Sequence, residues 1–268
     1  MTYHEQTMTT VAVTLAAGLV GTSLAMLLVW FTQLRTGNAG IVDAAWAISI
    51  GSMAIGAAAV GEGWPQRRIA IALVMAIWGG RLGLHILRDR VIGKPEDGRY
   101  RALRREWGPS APARMLRFFQ IQALAAVFFA MPAVLASANR APGFTLLEQC
   151  ALALWAAAFS GEVLADHQLE QFRSQPGNSG RTCRSGLWRY SRHPNYFFEW
   201  VMWVAYAAFA LASPFGALAL LCPVAMLYLL LRVTGVPLAE AQALRSRGSD
   251  YMRYQQTTNA FFPWRPRA

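Results

Sequence analysis

The chain has 268 residues, 55% of them hydrophobic and only 15% charged, with a mean hydropathy of +0.28. A soluble domain carries about 25% charged residues, so this composition excludes an ordinary water-soluble globule and reads as an integral membrane protein. The formal net charge is +11, which raises nucleic acid as a partner, while Cys150, Cys183 and Cys222 stand far apart without a CxxC pair and argue against a disulfide framework and against zinc.

A bilayer core needs about 20 apolar helical residues to be crossed. By that measure helices are predicted over 8–31, 39–60, 69–87, 118–138, 144–166, 196–212 and 217–233, with Pro132 expected to kink the fourth. Between and after them lie polar segments at 88–117, 167–192 and 234–268. The expected architecture is a single all-α membrane domain, a seven-transmembrane-helix bundle. If the C-terminus is cytoplasmic, the 32–38 turn, the two polar segments and the tail from Arg232 hold 1, 9, 5 and 6 basic residues, whereas the other side holds only Arg67, Arg68 and Arg140. Basic residues concentrate on the cytoplasmic side of membrane proteins, so this split predicts an outside N-terminus and a cytoplasmic C-terminus. It also accounts for most of the basic excess without nucleic acid. Nine basic residues in one segment are more than orientation requires.

Ionisable residues inside apolar helices are costly and therefore mark function. Asp43 lies near the start of the second helix, either buried or capping it from the interface. Arg81, His85 and Arg88 follow one another along one face of the third, a face suited to a phosphate. Glu162 and Asp166 are four apart near the end of the fifth, with Arg173 beyond. The densest polar stretch is Ser185 to Glu199, which holds Arg189, Tyr190, Arg192, His193, Asn195, Tyr196 and Glu199 and then runs into an apolar helix. Pro194 suits the first turn of that helix, and Asn195 and Glu199 share one of its faces. No dinucleotide-binding glycine motif, P-loop or HExxH is present, so a bound phosphate must be held by arginines and helix ends.

The stretch Gly186-Leu-Trp-Arg-Tyr-Ser-Arg-His-Pro-Asn-Tyr-Phe-x-Glu199 resembles the signature of the steroid 5α-reductase-like membrane family, and its bacterial branch most. The similarity continues in Asp166-x-Gln168-x-x-x-Phe172-Arg173, in Arg81, Arg88 and Asp97-x-Arg99-Tyr100, in Val42-Asp43-x-x-Trp46, and downstream in Gly235-x-Pro237-x-x-Glu240, Tyr251-x-x-Tyr254 and Thr258-x-x-Phe261-x-Pro263. The resemblance implies a seven-helix bundle whose cytosol-facing cavity binds NADPH. Its hydride goes to the β-carbon of a hydrophobic α,β-unsaturated ketone, a steroid or another lipid enone. Positions matching the family's cofactor residues are Asp166, Arg173, Tyr190, Asn195 and Glu199, extended by Arg81, Arg88, Asp97, Arg99, Tyr100, Arg192, His193, Tyr196 and Glu240. The animal enzymes polarise the substrate carbonyl with a glutamate on the second helix and a tyrosine on the third. Asp43 falls near the glutamate and Trp78 at the tyrosine, and with Trp46 they are the catalytic candidates. A buried Asp43 could stay protonated and donate to the developing oxyanion. The expected partners are membrane lipids and a small hydrophobic substrate, not nucleic acid, in a bacterial inner membrane with the active site facing the cytoplasm. The shorter core Arg-His-Pro-x-Tyr also occurs in isoprenylcysteine carboxyl methyltransferases, which makes an S-adenosylmethionine-dependent methyltransferase the alternative.

Overall fold

A computed structural model describes residues 3–267, and all its regular elements are helical. Their order is α1 (Tyr3–Thr36), α2 (Ile41–Val60), α3 (Pro65–Ile86), α4 (Gly98–Trp107), α5 (Ala111–Ala136), α6 (Leu146–Ser174), α7 (Pro194–Ala210), α8 (Leu221–Tyr228) and α9 (Val236–Thr257). Wide π turns at Leu87–Val91 and Leu229–Val233 continue α3 and α8. Five helical stretches are long and apolar enough to cross a membrane: Glu5–Thr36, Ile41–Val60, Pro65–Val91, Gly98–Ala136 and Gly216–Thr257. In the last two the apolar part is short of the whole. The charged α4 precedes it in one, and α9, with Glu240, Arg245, Arg247, Asp250 and Arg253, follows it in the other.

Several boundaries differ from those read in the sequence. Helix α1 is longer than 8–31 at both ends, because polar residues such as Gln33 and Thr36 still satisfy helical geometry. The segment 88–117 is largely helical. Asp97 caps α4 by accepting the Arg99 backbone N–H at 2.9 Å, and Gly108, at φ +51°, turns the chain into α5. Helix α6 runs eight residues beyond Asp166, since Gln168, Glu170 and Gln171 are polar yet good helix formers. The tail contains α9, whose two parts meet at Gly248, at φ +50°.

The chain forms two compact units, Met1–Thr145 with Phe209–Ala219 and Leu146–Ala208 with Leu220–Ala268. In the first, α1, α2, α3 and α5 form the core. Helices α2 and α3 touch through glycine: a Cβ on Gly79 would stand 2.5 Å from the Ala47 carbonyl. At one end of this unit Arg67, 1% exposed, crosses the turn after α5, donating to the carbonyls of Asn139 (3.2 Å), Ala141 (2.5 Å) and Gly143 (2.6 Å). Bonds from a charged donor are worth about 1.5–3 kcal/mol each, and three carbonyls would lose theirs together. Arg67→Leu is therefore expected to lower stability by about 3 kcal/mol or more, seen as a large drop in the thermal midpoint of the purified protein. In the second unit α6, α7 and α9 surround the loop 175–193.

Candidate functional site

Most of the predicted site residues gather in one cluster in each unit, while Arg88, Arg173 and Tyr190 lie exposed. In the first, the turn before α2 is tied to the loop before α4: Glu96 accepts the Ala39 backbone N–H at 2.8 Å, and Asn38 bonds to the Lys94 carbonyl at 3.4 Å. Arg104 reaches both Glu96 (Nε to Oε1, 3.0 Å) and Gln33. This knot brings the first turn of α4 beside the first turn of α2. Arg99 Nη2 donates to Asp43 Oδ2 at 2.8 Å, and the Tyr100 hydroxyl donates to Asp43 Oδ1 at 2.7 Å. Arg99 Nε also reaches Asp97 Oδ1 at 3.2 Å. Asp43 thus neither caps its helix nor stands alone. Both its oxygens accept, and the O–H in this assembly is that of Tyr100. Burial acts to raise the Asp97 pKa, but the Arg99 N–H groups and charge, with Arg90, bring it below the ordinary carboxylate value.

Tyr100 is buried, edge-on to Phe118 at 6.1 Å, in a cluster with Val42, Met115, Phe119 and Trp46. Trp46, one turn along α2 from Asp43, stands edge-on to Trp78 (6.1 Å) and Phe129 (5.6 Å), and its indole N–H is buried without an acceptor among the described residues. Trp78 is fully buried behind it. Arg81 is half-buried on α3. Arg88 lies exposed on the π turn. His85 Nδ1 faces Asp89 at 3.4 Å.

In the second unit the loop 182–193 is fixed from both sides. On the α6 side, Gln168 Oε1 accepts the Leu187 N–H at 2.9 Å and Trp188 Nε1 donates to the Ala165 carbonyl at 2.9 Å. Gly186, at φ +58°, lets the backbone approach Gln168, whose amide would clash with a Cβ there. On the α9 side, Asp250 accepts the Thr182 N–H at 2.8 Å, and the Tyr254 hydroxyl donates to the carbonyls of Trp188 and Ser191. The Arg192 N–H donates to the Asn259 carbonyl at 2.9 Å, and Ser191 Oγ to that of Phe261 at 2.8 Å.

Arg192 and Glu240 form the hub. Arg192 Nε and Nη2 lie 2.7 and 2.6 Å from Glu240 Oε1, and Nη1 donates to the carbonyls of Gln255 (3.1 Å) and Thr258 (2.5 Å). Gln255 donates to Glu240 Oε2 at 2.8 Å, and the buried His193 Nε2 stands 3.5 Å from Oε1. Sequence resemblance makes Arg192 and Glu240 cofactor contacts. In the structure both engage protein groups and tie the motif together, with Ser191, Gln168 and Gln255 joining them. Burial acts to raise the Glu240 pKa, but His193, Arg192 and Gln255 around its oxygens outweigh it and hold it at about 2, against an ordinary 4.5. A depressed carboxylate stabilises the fold above its unfolded pKa and loses that contribution as pH falls through the folded one. The gap in thermal midpoint between wild type and Glu240→Gln is thus expected to be constant above pH 4.5 and to close as pH falls toward 2.

Past this hub α7 begins at Pro194. His193 stacks on Tyr196 at 5.4 Å, and Asn195 Nδ2 donates to Asp166 Oδ1 at 3.2 Å. Glu199 is 9% exposed and accepts from Trp203 Nε1 at 2.8 Å, so it does not face solvent. Arg173, in the last turn of α6, and Tyr190 are exposed. A cavity of about 290 Å³, lined by Gln168, Gln171, Phe172, Gln175, Ser185 and Gly186, opens beside the motif. Asn195 Oδ1 accepts the Tyr196 backbone N–H at 3.0 Å, so Asp166, Asn195, Tyr196 and Glu199 bring donors and acceptors together at the start of α7.

The family model described as "Protein of unknown function (DUF1295)" matches residues 29–258, and the chain belongs to that family. No curated protein and no solved structure matches it.

Proposed function

We propose that this chain is an NADPH-dependent membrane reductase acting on the C=C bond of a hydrophobic α,β-unsaturated ketone, a steroid or another lipid enone. The observation that carries the reading is the Asp43–Tyr100 pair at 2.7 Å, set in an apolar, aromatic surround. Hydride addition to an enone builds negative charge on the carbonyl oxygen, and a positioned O–H that meets this charge lowers the barrier. Tyr100 holds that proton, which it donates to Asp43 Oδ1 at 2.7 Å; passing it to the substrate oxygen would break that bond and leave a phenolate beside the Arg99 guanidinium. Asp43 and Arg99 orient the phenol and keep a charge balance around it. Trp46, Trp78 and Phe129 supply an apolar wall. The resemblance puts Tyr100 among the cofactor residues and Trp78 at the family's tyrosine position; we assign the tyrosine's role to Tyr100 instead, because its hydroxyl reaches Asp43.

NADPH supplies the hydride when bound. Asn195 and Glu199 are assigned to its carboxamide, with Asp166, Tyr190, Tyr196 and Arg173 beside them, while Arg192 and Glu240 hold the loop that carries these groups. We further assign seven spans, adding α6 and α7 to the apolar parts of the five stretches, with α4 and α9 outside them. Helix α6 has 29 residues and α7 has 17, at the lower limit for a crossing. The basic split supports an outside N-terminus and a C-terminus on the cytoplasmic side; we propose a bacterial inner membrane with the active site facing the cytoplasm.

The S-adenosylmethionine alternative gains one observation. Arg99 and Arg192, which the resemblance counts among the cofactor residues, engage protein acceptors. Thermal stability of the purified protein, titrated with each ligand, separates the two, because a ligand that binds only the folded state raises the midpoint. NADPH is expected to raise it most, NADH less and S-adenosylmethionine not at all. Stabilisation by S-adenosylmethionine alone would replace this reading with the second.

A further inference from the structure

The up-and-down order of α1, α2, α3 and α5 puts the ends of α1 and α3 and the starts of α2 and α5 at one end of the first unit. That end carries Arg35 and the nine basic residues of 88–117, and the opposite end only Arg67, Arg68 and Arg140. The three at the poor end all meet protein acceptors: Arg67 on three carbonyls, Arg68 on the Gly61 carbonyl and Arg140 on Glu62. At the rich end Arg99 and Arg104 are similarly occupied. Arg101 and Arg105 on α4 and Arg114 and Arg117 on α5 are exposed, and among the described residues none of these four meets a carboxylate.

Their placement follows a pattern that orientation alone does not demand. On α5, Arg114, Arg117, Ile121 and Leu124 stand at i, i+3, i+7 and i+10, one helix face, and all are exposed, Ile121 by 61% and Leu124 by 55%. The core face of the same helix, Met115, Phe119, Ala123 and Ala126, lies opposite and is buried. Helix α1 shows the same order on its outer face, where Leu24, Leu28 and Phe31 are exposed and lead to Arg35. Trp30 Nε1 donates to the Pro112 carbonyl at 2.9 Å, which pins α1 to the start of α5 at the level of the arginines. An indole at that level is favoured at the boundary of a bilayer. Each stripe therefore passes from apolar to cationic, as a phospholipid passes from acyl chain to phosphate.

We propose that this end of the first unit binds an anionic phospholipid, with Arg114 and Arg117 on the headgroup phosphate and the acyl chain along Ile121 and Leu124. Guanidinium groups match a phosphate with paired N–H donors, and Arg101 and Arg105 add positive potential that favours an anionic over a zwitterionic headgroup. The site depends on the membrane reading and on the first unit alone. It stands or falls separately from the choice of cofactor.

The test is the thermal midpoint of the full chain in nanodiscs of phosphatidylcholine alone and with phosphatidylglycerol added. Phosphatidylglycerol is expected to raise the midpoint of the wild type. The Arg114→Gln/Arg117→Gln double variant should lose most of that shift, and Arg140→Gln, at the opposite end, should keep it. If the double variant does not fold, the single Arg117→Gln serves in its place. An equal shift in wild type and in the α5 variant overturns the proposal. So does an arginine-dependent shift from inorganic phosphate in phosphatidylcholine discs, which would assign the site to a soluble anion.

Discussion

Tyr100→Phe is expected to lower the turnover of enone reduction by about 100-fold or more while the protein stays folded, since a positioned general acid contributes roughly 10²–10⁴-fold. The substitution removes one oxygen and keeps the ring among Val42, Met115 and Phe119. Asp43 retains its 2.8 Å contact with Arg99, so the loss in stability is that of a single hydrogen bond, about 1 kcal/mol. NADPH affinity should be unchanged, because the phenol faces Asp43. The check is steady-state NADPH oxidation with a reducible hydrophobic enone, set beside the thermal midpoint of the same preparation. Wild-type turnover in a folded variant would move the proton donor elsewhere. Asp43→Asn provides the comparison: it keeps the shape but removes the charge that balances Arg99, and it should also slow turnover.

The second large effect is expected at Glu199. It lies one turn into α7, buried, with one oxygen accepting from Trp203. Glu199→Gln leaves an amide oxygen that can still accept this bond, and the thermal midpoint of the variant reads whether the fold is kept. It replaces a carboxylate oxygen with an N–H₂ where the nicotinamide carboxamide needs an acceptor. The reacting carbon would then be misplaced, and an error of about 1 Å costs roughly 100-fold in rate. Single-turnover NADPH oxidation by the variant reads this directly. A variant that turns over like the wild type would make Glu199 a packing residue for Trp203 and nothing more.

The apolar helices, the basic segments and the 185–199 motif are legible in the sequence because each is a property of neighbouring residues. The Asp43–Tyr100 contact is not, since it joins residues 57 positions apart and needs the Asp97 cap and the Glu96 knot to fold α4 back onto α2. Trp78 occupies the expected helical position for a tyrosine, yet the hydroxyl that reaches Asp43 comes from the next helix. Arg192 looks available for a phosphate in the sequence because two of its acceptors are backbone carbonyls, of Gln255 and Thr258, which no residue pattern advertises. Helix α9 is hidden for a related reason: its residues are largely polar, and Gly248 interrupts the period that would reveal it. The pairing of Asn195 with Asp166 joins two positions that the resemblance marks separately as cofactor contacts.

The most direct measurement follows the hydride itself. Purified protein is incubated with NADPH carrying deuterium at the transferable position of its nicotinamide and with a panel of hydrophobic enones, and the products are analysed by mass spectrometry. An NADPH-dependent enone reductase yields a saturated ketone with one deuterium at the β-carbon, formed at a rate that Tyr100→Phe depresses. Unreduced enones across the panel, together with methyl transfer from S-adenosylmethionine in a parallel incubation, would contradict that assignment.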